Sequence, residues 1–474
     1  MLERLKHNSG KDFVTGKQRT HTEVIEFLDA RWGGTQCNEK TLEHMKALDK
    51  ASGNPSQKLH TIFVAGTNGK SLSAYFTAQL LKAEGLKVGL FYAPHVLTYN
   101  ERFVINGEAI ASKNFTELAN EIINADESLN LKAHTQELLT MIALLHFVRQ
   151  EVDAAILEVH QGGRYNPVNI CTAKVATITR ITPQAARTDE AGLKAYAEDI
   201  MGIVKKDTHV ISGDQNKSHL VMMQQLTEAV GGRWAMPIRK LAPLGYPYEQ
   251  IHGRCAALAE RTAQIFAEKI LIRATTVIAE SLLVKTKGQR GRPTLEEKRA
   301  SELNPKKTIE QFWKETAVTD LPYRFQLLEK EKPSVLLDNA HNLDAFKNLL
   351  LGIRLLHYQR PFKGLAIVMA AAQETFDSEE FLRAIRYFFK KTSGQLFLCP
   401  LTSLLPGTET DTWDAENVVN DLKTMKVKAR ACASFDEAFE AAKKSVDERN
   451  GLLVVTGSQS IINQYWKSKG IKKL

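Results

Sequence analysis

The sequence is poor in cysteine, and its few cysteines are far apart. The chain of 474 residues has five of them, with no CxxC pair and no cluster of cysteine with histidine. This pattern argues against a zinc framework and against a fold held by disulfides. It is typical of a protein in a reducing compartment. The five are Cys37, Cys171, Cys255, Cys399 and Cys432.

Long hydrophobic runs are also missing. No apolar stretch is long enough to span a bilayer, and the first residues contain no apolar signal core. We therefore expect a cytoplasmic protein with no membrane partner. We find no internal repeat, which argues against a solenoid or propeller.

The composition is that of an ordinary globular protein, with 43% apolar and 25% charged residues. The length favours two or three domains. A formal net charge of +9 is compatible with an anionic partner. Solubility alone also accounts for such a charge on so long a chain, so the charge does not choose a partner.

Short runs rich in Val, Ile and Leu alternate with amphipathic stretches at helical spacing, which predicts βαβ units and parallel sheets. The predicted strands form two groups separated by a polar break. We expect an α/β protein with a domain at 1–284, a linker or insertion at 285–320 and a smaller Rossmann-like domain at 321–474. The predicted strands are 59–66, 87–92, 154–159, 175–181 and 209–212, then 334–337, 365–369, 396–400 and 452–456.

The polar break contains a basic segment at 285–307 with the sequence Lys-Gly-Gln-Arg-Gly-Arg-Pro. An extended arm of this kind can lie in a DNA minor groove, so a nucleic-acid-binding protein is an alternative hypothesis. A solvated linker is the more ordinary interpretation of a charge run. The sequence has no helix-turn-helix, aromatic stacking pair or basic stripe, and nucleic acid is not the expected partner.

A phosphate-binding loop follows the first predicted strand and opens a helix. Small residues at such a corner let backbone amides approach an anion, and the helix directs its positive end to the same place. Lys70 can reach the β- and γ-phosphates, and the Ser71 hydroxyl can ligate Mg²⁺. Val64 stands where the Walker pattern has its first glycine. The loop residues are Gly66, Thr67, Asn68, Gly69, Lys70 and Ser71.

Several further motifs occur in a fixed order along the chain. In that order they resemble the folylpolyglutamate synthase and dihydrofolate synthase family, a branch of the Mur ligase superfamily. The resemblance runs from about residue 59 to Ser458. The motifs are Ala93-Pro94-His95, Asn100-Glu101-Arg102, Ile105-Asn106-Gly107-Glu108, residues 157–164, residues 337–342 and Val455-Thr456-Gly457-Ser458.

The resemblance implies a Mur-ligase-like first domain with a phosphate loop, and a ligation in two steps. ATP phosphorylates a folate or dihydropteroate carboxylate, and the amine of L-glutamate then displaces phosphate to form an amide. ATP and Mg²⁺ are the implied cofactors. We expect a monomer that acts on these small substrates in folate and one-carbon metabolism.

The resemblance also assigns roles to individual residues. Lys70, Glu158 and His341 are the implied catalytic residues. Ser71 and Glu158 are the implied Mg²⁺ ligands. Arg324 and Asp338 would contact ATP from the second domain, together with the loop Gly66, Thr67, Asn68, Gly69, Lys70 and Ser71 of the first.

Several family positions differ in this sequence. Ala93 replaces a serine, and Ala185 marks where an Asp-His pair is expected, so a metal-binding hydroxyl and an imidazole are missing. Ile200 aligns with the family's modified lysine, Asn166 with an aspartate and Cys255 with an adenine-contacting asparagine. Ala and Ile cannot supply the lost charges or lone pairs. Two interpretations remain: a working ligase with a rearranged site, or an ATP-binding relative with weak or no ligase activity.

Overall fold

The computed structural model describes residues 16–32, 37–182, 189–278, 308–316, 321–371, 378–401 and 413–473. Each group of predicted strands forms one sheet, and helices cover both faces of each. Among the described residues, no helix is long and apolar enough to cross a membrane.

The first sheet has eight strands in the order β4-β3-β2-β5-β1-β6-β7-β8. The six neighbouring strands β2, β5, β1, β6, β7 and β8 run parallel to one another. The strands β3 and β4 add an antiparallel edge beside β2. Because β1 and β5 are buried along their whole length, they read as continuous apolar runs. The strands are β1 (Thr61–Ala65), β2 (Val88–Phe91), β3 (Phe103–Ile105), β4 (Glu108–Ala109), β5 (Ala154–Glu158), β6 (Ala173–Ile178), β7 (His209–Ser212) and β8 (Arg233–Ala235).

Two apolar layers cover this sheet. One face packs against α1, α2, α4, α5, α6 and α7, and the other against α3 and α8. The helices are α1 (His21–Ala30), α2 (Glu39–Ala51), α3 (Lys70–Ala83), α4 (Ser112–Leu129), α5 (Thr135–Arg149), α6 (Glu190–Met201), α7 (Lys217–Ala229) and α8 (Tyr248–Ile265), with short helical turns at Pro55–Gln57, Tyr99–Arg102, Pro167–Ile170 and Phe266–Ile270.

The second sheet has six strands in the order β13-β12-β11-β14-β10-β9, all parallel except β9. Its strands are β9 (Gln326–Leu328), β10 (Ser334–Asp338), β11 (Leu365–Met369), β12 (Gln395–Leu398), β13 (Ala429–Ala431) and β14 (Leu452–Thr456). The chain passes from the first sheet to the second through α9 (Ile309–Glu315), and the helices of the second unit are α10 (Leu343–Gln359), α11 (Ser378–Phe389), α12 (Ala415–Thr424), α13 (Phe435–Lys444) and α14 (Gln459–Ser468).

The predicted fold class is confirmed: the protein has two α/β units built on sheets that are mostly parallel. The sheets are mixed because short edge strands pair antiparallel with them. β3, β4 and β9 have two or three residues each, too few for the apolar run that marks a buried strand.

The boundaries at 284 and 320 stay a prediction, because residues 279–307 and 317–320 lie outside the described part of the chain, and the basic segment 285–307 lies there too. Within the predicted linker, α9 packs Trp313 edge-on against Phe76 of α3, with the two ring centroids 5.2 Å apart. Residues Ile309, Phe312 and Trp313 therefore belong to the core of the first unit.

Candidate active site

The phosphate loop joins β1 to α3 by a tight turn that glycine alone fits. Gly66 and Gly69 have φ angles of 121° and 84°. A Cβ atom on Gly66 would lie 2.3 Å from the Thr179 hydroxyl oxygen, and one on Gly69 would lie 2.8 Å from the Cys255 sulfur. Gly69 is also the cap residue of α3 and has no side chain to bond the first amides of that helix. Within the described part of the chain no side chain of the cap residue bonds these amides, which lie at the positive end of α3.

Lys70 arches back over the loop that precedes it. Its ammonium Nζ donates to the carbonyl oxygens of Gly66, at 2.9 Å, and Thr67, at 3.1 Å. Burial lowers the pKa of this ammonium, Glu158 opposes that change and Arg324 adds to it. The lysine charge is thus held at the mouth of the loop.

Glu158 ends β5 beside the loop, paired in register with Val64 of β1. Its Oε1 accepts from the Ser71 hydroxyl at 3.2 Å. Its Oε2 is buried and has no hydrogen-bond partner within the described part of the chain. Burial raises the pKa of this carboxyl, and the charges of Lys70 and Arg324 oppose the rise. A buried carboxylate oxygen without a partner is costly unless a ligand or ion completes its coordination.

Arg324 reaches the same place from the second unit. Its Nη2 donates to Ser71 Oγ at 3.0 Å, so the Ser71 hydroxyl accepts from Arg324 while it donates to Glu158. The guanidinium also lies over the ring of Tyr323, 5.0 Å from its centroid. The phenol of Tyr323 donates to the carbonyl of Pro94 in the first unit at 3.3 Å. The two units therefore meet at the loop.

Asp338 supports the segment that carries Arg324. It ends β10, and its Oδ2 accepts from the backbone amide of Phe325 at 2.8 Å. Burial raises the pKa of Asp338 to about 7, with Arg324 and the Phe325 amide opposing the rise. The structure thus brings Asp338 close to Arg324. The Asp338 carboxylate holds the backbone next to Arg324 through the Phe325 amide.

His341 is held by a local hydrogen bond. Its Nδ1 lies 3.2 Å from the carbonyl oxygen of Asn339. Burial lowers its pKa to about 4, helped by the charge of Arg324. The imidazole is therefore neutral near pH 7, a hydrogen-bonding group rather than a cation.

The structure also shows ionisable groups at this cleft to which no role was assigned from the sequence. Arg102 is almost fully buried, and it donates to His95 Nδ1 and to Gln136 Oε1, both at 3.0 Å. Burial lowers the pKa of His160, which follows Glu158 by two residues, to about 3, and the nearby charges of Lys70 and Arg102 add to this effect. Arg102 lies within one of the quoted motifs, which was the available signal for it.

The positions that differ from the family have ordinary surroundings in this fold. Ile200 lies in the apolar core under the first sheet. The Asn166 amide donates to the Gln161 carbonyl at 2.8 Å and accepts from the Val168 amide at 3.1 Å, so backbone groups satisfy it. Ala93 is buried after β2, and Ala185 lies outside the described residues. Among the described residues, no group of three or more His, Cys, Asp or Glu could hold a metal ion.

Comparison with known proteins places this geometry in a family. Residues 323–459 match the model of the Mur ligase glutamate ligase domain. The dihydrofolate synthase/folylpolyglutamate synthase of Bacillus subtilis is 27% identical over 320 residues, which is 65% of this chain and 70% of the relative. The folylpolyglutamate synthase of Lacticaseibacillus casei is 25% identical over 372 residues, 74% of this chain and 80% of the relative.

These matches support the predicted family, that of folylpolyglutamate synthase and dihydrofolate synthase. Solved structures agree in fold. The Mycobacterium tuberculosis folylpolyglutamate synthase complexed with ADP superposes with a TM-score of 0.71 at 20% identity, and 95% of this chain and 98% of that chain are covered. A bifunctional folylpolyglutamate synthase/dihydrofolate synthase with Mn, AMPPNP and L-glutamate bound gives 0.70 at 20% identity, with 95% and 98% covered. The predicted family is confirmed, and the roles of the individual site residues stay predictions.

Proposed function

We propose that this protein is an ATP-dependent amide ligase that joins L-glutamate to a carboxylate of folate or dihydropteroate. The observation that carries the proposal is the meeting of Lys70, Ser71 and Glu158 of one unit with Arg324 of the other. Two cations beside a hydroxyl and a carboxylate at a glycine turn fit a Mg²⁺-bound triphosphate whose terminal group is transferred. Relatives that bind ADP, or AMPPNP with Mn and L-glutamate, support it.

The reaction needs two group transfers. An oxygen of the acceptor carboxylate attacks the γ-phosphorus of ATP, ADP leaves, and an acyl phosphate forms. The glutamate amine then attacks the acyl carbon, phosphate leaves, and the nitrogen loses a proton as the amide forms. Negative charge shifts across the phosphoryl oxygens in the first step, so fixed cations lower its barrier more than acid–base groups do.

The chain supplies groups that attract phosphate from both units. In the first unit, the amides of Gly69 and Lys70 and the Lys70 ammonium would bind the phosphates at the loop. Arg324 would cover them from the second unit, and the hydrogen bond that the Phe325 amide donates to Asp338 holds the segment that carries Arg324. Two of the three N–H donors of the Lys70 ammonium bond the Gly66 and Thr67 carbonyls, so the third can donate to phosphate.

A divalent cation fits beside the loop. Ser71 Oγ and the unpartnered Oε2 of Glu158 are oxygen donors of the kind that Mg²⁺ prefers. We propose that these two residues hold Mg²⁺ together with nucleotide oxygens. The ion would neutralise phosphate charge. Because Ala93 and Ile200 lack donor groups, we expect fewer bound cations than in relatives that have a serine and a modified lysine at these places.

His341 would act as a neutral hydrogen-bond acceptor at the mouth of the second sheet. Burial keeps it uncharged, and its Nδ1–H donates to the Asn339 carbonyl, so Nε2 can accept a hydrogen bond from a substrate N–H or O–H group. Its Nε2 lies 3.4 Å from the Asn342 amide nitrogen, which is a weak contact that a substrate could replace.

The missing metal-binding groups favour a second candidate, a nucleotide-binding relative with weak or no ligation. The two candidates share the phosphate loop and differ in turnover. The test is glutamate-dependent phosphate release by the purified protein with ATP and Mg²⁺, with dihydropteroate and tetrahydrofolate supplied separately. Release with either acceptor supports the ligase. Nucleotide binding with no release on any acceptor supports the degenerate relative.

Cellular location and assembly are also part of the proposal. We propose that the protein acts in the cytoplasm, which its few, scattered cysteines fit, and that it is a monomer. Light scattering on the purified protein tests its mass in solution, and cell fractionation tests its location. The mass of a dimer would reject the monomer, and recovery in the membrane fraction would reject the cytoplasmic location.

A further inference from the structure

One carboxylate of the second unit bridges two segments of the first. Asp344 lies in the first turn of α10. Its Oδ2 accepts from the Asn68 amide of the phosphate loop at 2.8 Å. Its Oδ1 pairs with Nη1 of Arg180, just after β6, at 3.1 Å. Neither Asp344 nor Arg180 lies in any of the motifs described above.

Asn342 strengthens the same contact. Its side-chain amide exchanges two hydrogen bonds with that of Asn68, at 2.8 Å and 3.0 Å. Its Oδ1 also accepts from the Ala345 amide at 2.9 Å and so caps α10. The start of α10 is thus fixed directly to the phosphate loop.

Arg180 is itself attached to the loop through the backbone. Its carbonyl accepts from the Thr67 amide at 2.8 Å, and the Thr182 amide donates to the Thr67 hydroxyl at 3.1 Å. A change in the position of Arg180 should therefore also move the backbone of the phosphate loop. The Arg180 and Asp344 side chains are 40% and 28% exposed, so the pair can open without unfolding either unit.

The charges of this pair also affect the anion site. Asp344 is a carboxylate bonded to the loop that binds phosphate in the proposed function, where a lone negative charge would repel the ligand. Arg180 neutralises it. Loss of Arg180 should therefore harm nucleotide binding more than joint loss of both charges.

We propose that Arg180 and Asp344 form a latch that fixes the phosphate loop when the second unit closes over bound nucleotide. They are positioning residues, and they act through Asn68 and the loop backbone. The inference rests on the proposed function, in which the second unit must cover ATP at the loop.

The test uses the full chain with ADP and Mg²⁺. ADP affinity is measured by calorimetry, and closure is measured as the radius of gyration by small-angle scattering. Arg180→Ala should weaken ADP binding about two- to fivefold, the range for a partly exposed ion pair, and leave the ADP complex more open. Adding Asp344→Asn should recover part of the loss. High salt should reduce the difference between wild type and Arg180→Ala.

Exchange of the two charges gives a sharper test. The ADP complex of the double variant Arg180→Asp with Asp344→Arg should have a smaller radius of gyration than that of either single variant. Arg430→Ala is the matched control, because Arg430 also pairs with a surface carboxylate, that of Glu437, but both residues of this pair lie in the second unit. The latch is rejected if the two losses add, if the exchanged pair closes no better than the single variants, or if Arg430→Ala opens the complex equally.

Closure and ADP affinity do not require ligation. If no acceptor supports phosphate release, the proposed function fails while these measurements still decide the latch. If release is observed and Arg180→Ala leaves closure and ADP affinity unchanged, the latch fails alone. Melting temperatures close to that of the wild type show that the variants are folded, and Asp344→Asn keeps a side-chain oxygen that can accept from Asn68.

Discussion

Arg324 of the second α/β unit donates a hydrogen bond to the hydroxyl of Ser71, in the phosphate loop of the first unit, over 3.0 Å. The same hydroxyl donates to Glu158. One serine therefore connects a cation from one unit with a carboxylate from the other. In the proposed ligase, this arrangement brings the second unit onto ATP and fixes the charge that the transferred phosphoryl group meets.

Lys70→Ala should remove most of the affinity for nucleotide. A hydrogen bond to a charged group contributes about 1.5–3 kcal/mol, which corresponds to about 10- to 150-fold in the dissociation constant. Calorimetry with ADP measures the change. Lys82→Ala is the control, because Lys82 lies in the last turn of the same helix and bonds only the Asn106 carbonyl among the described contacts. Unchanged affinity in Lys70→Ala would reject the loop assignment.

Arg324→Ala should lower turnover more than it raises the KM for ATP. Its guanidinium would act on charge that develops during phosphoryl transfer, and loss of one such donor costs about 10²- to 10³-fold in kcat. Arg324→Lys should recover part of the rate, because it restores the charge without the planar fork. The kinetic control is Arg360→Ala, which removes an exposed arginine paired with Glu329. An equal loss in kcat for both alanine variants would contradict the assignment.

Glu158→Gln should weaken the response to Mg²⁺. The substitution keeps the size of the side chain and removes the charge of the unpartnered Oε2. We expect the Mg²⁺ concentration for half-maximal activity to rise about ten-fold or more, as in metal sites that lose a supporting group. Glu84→Gln is the control, since Glu84 is a buried carboxylate at the far end of α3 that accepts from the Thr276 and Ile278 amides. A Mg²⁺ requirement that stays the same in Glu158→Gln would count against this cation site.

Asp338→Asn should reduce the dependence of folding stability on pH. The folded pKa is raised from 3.8 to about 7. Stability from this group is therefore fully present below 3.8 and is lost as pH rises through about 7. Allowing for partial exposure, the loss should be about 1–3 kcal/mol. Denaturant unfolding at pH 5 and pH 8 measures it.

In Asp338→Asn the difference in unfolding free energy between the two pH values should shrink, because asparagine still accepts from the Phe325 amide without an ionisable group. Asp436→Asn, at an exposed position in the first turn of α13, should behave as the wild type. If the stability of Asp338→Asn fell with pH as steeply as that of the wild type, Asp338 would not be the group that titrates.

The central strands and the loop could be predicted from sequence because their signals are local. β1 is a fully buried apolar run, and two glycines and a lysine follow it at once. The four strands predicted in the second unit are equally apolar. The edge strands β3, β4 and β9 could not be predicted, because two or three residues are too few to show the hydrophobic pattern of a strand.

The contacts between the units were beyond sequence reasoning for a different reason. Asn68 and Asp344 are 276 residues apart, and only the closed tertiary arrangement brings them together. Arg102 was visible in a motif, but its burial against His95 and Gln136 depends on how α5 packs beside β2 and β3. Nor does a sequence show that Asn166 is satisfied by backbone groups.

The most direct test of the ligase is transfer of a labelled oxygen. Dihydropteroate or tetrahydrofolate with an oxygen isotope in its carboxylate is incubated with the protein, ATP, Mg²⁺ and glutamate, and the phosphate released is examined by mass spectrometry. An acyl phosphate mechanism delivers one labelled oxygen to phosphate for each amide formed. Amide formation with unlabelled phosphate would contradict that mechanism, and the absence of amide with every acceptor would contradict the ligase itself.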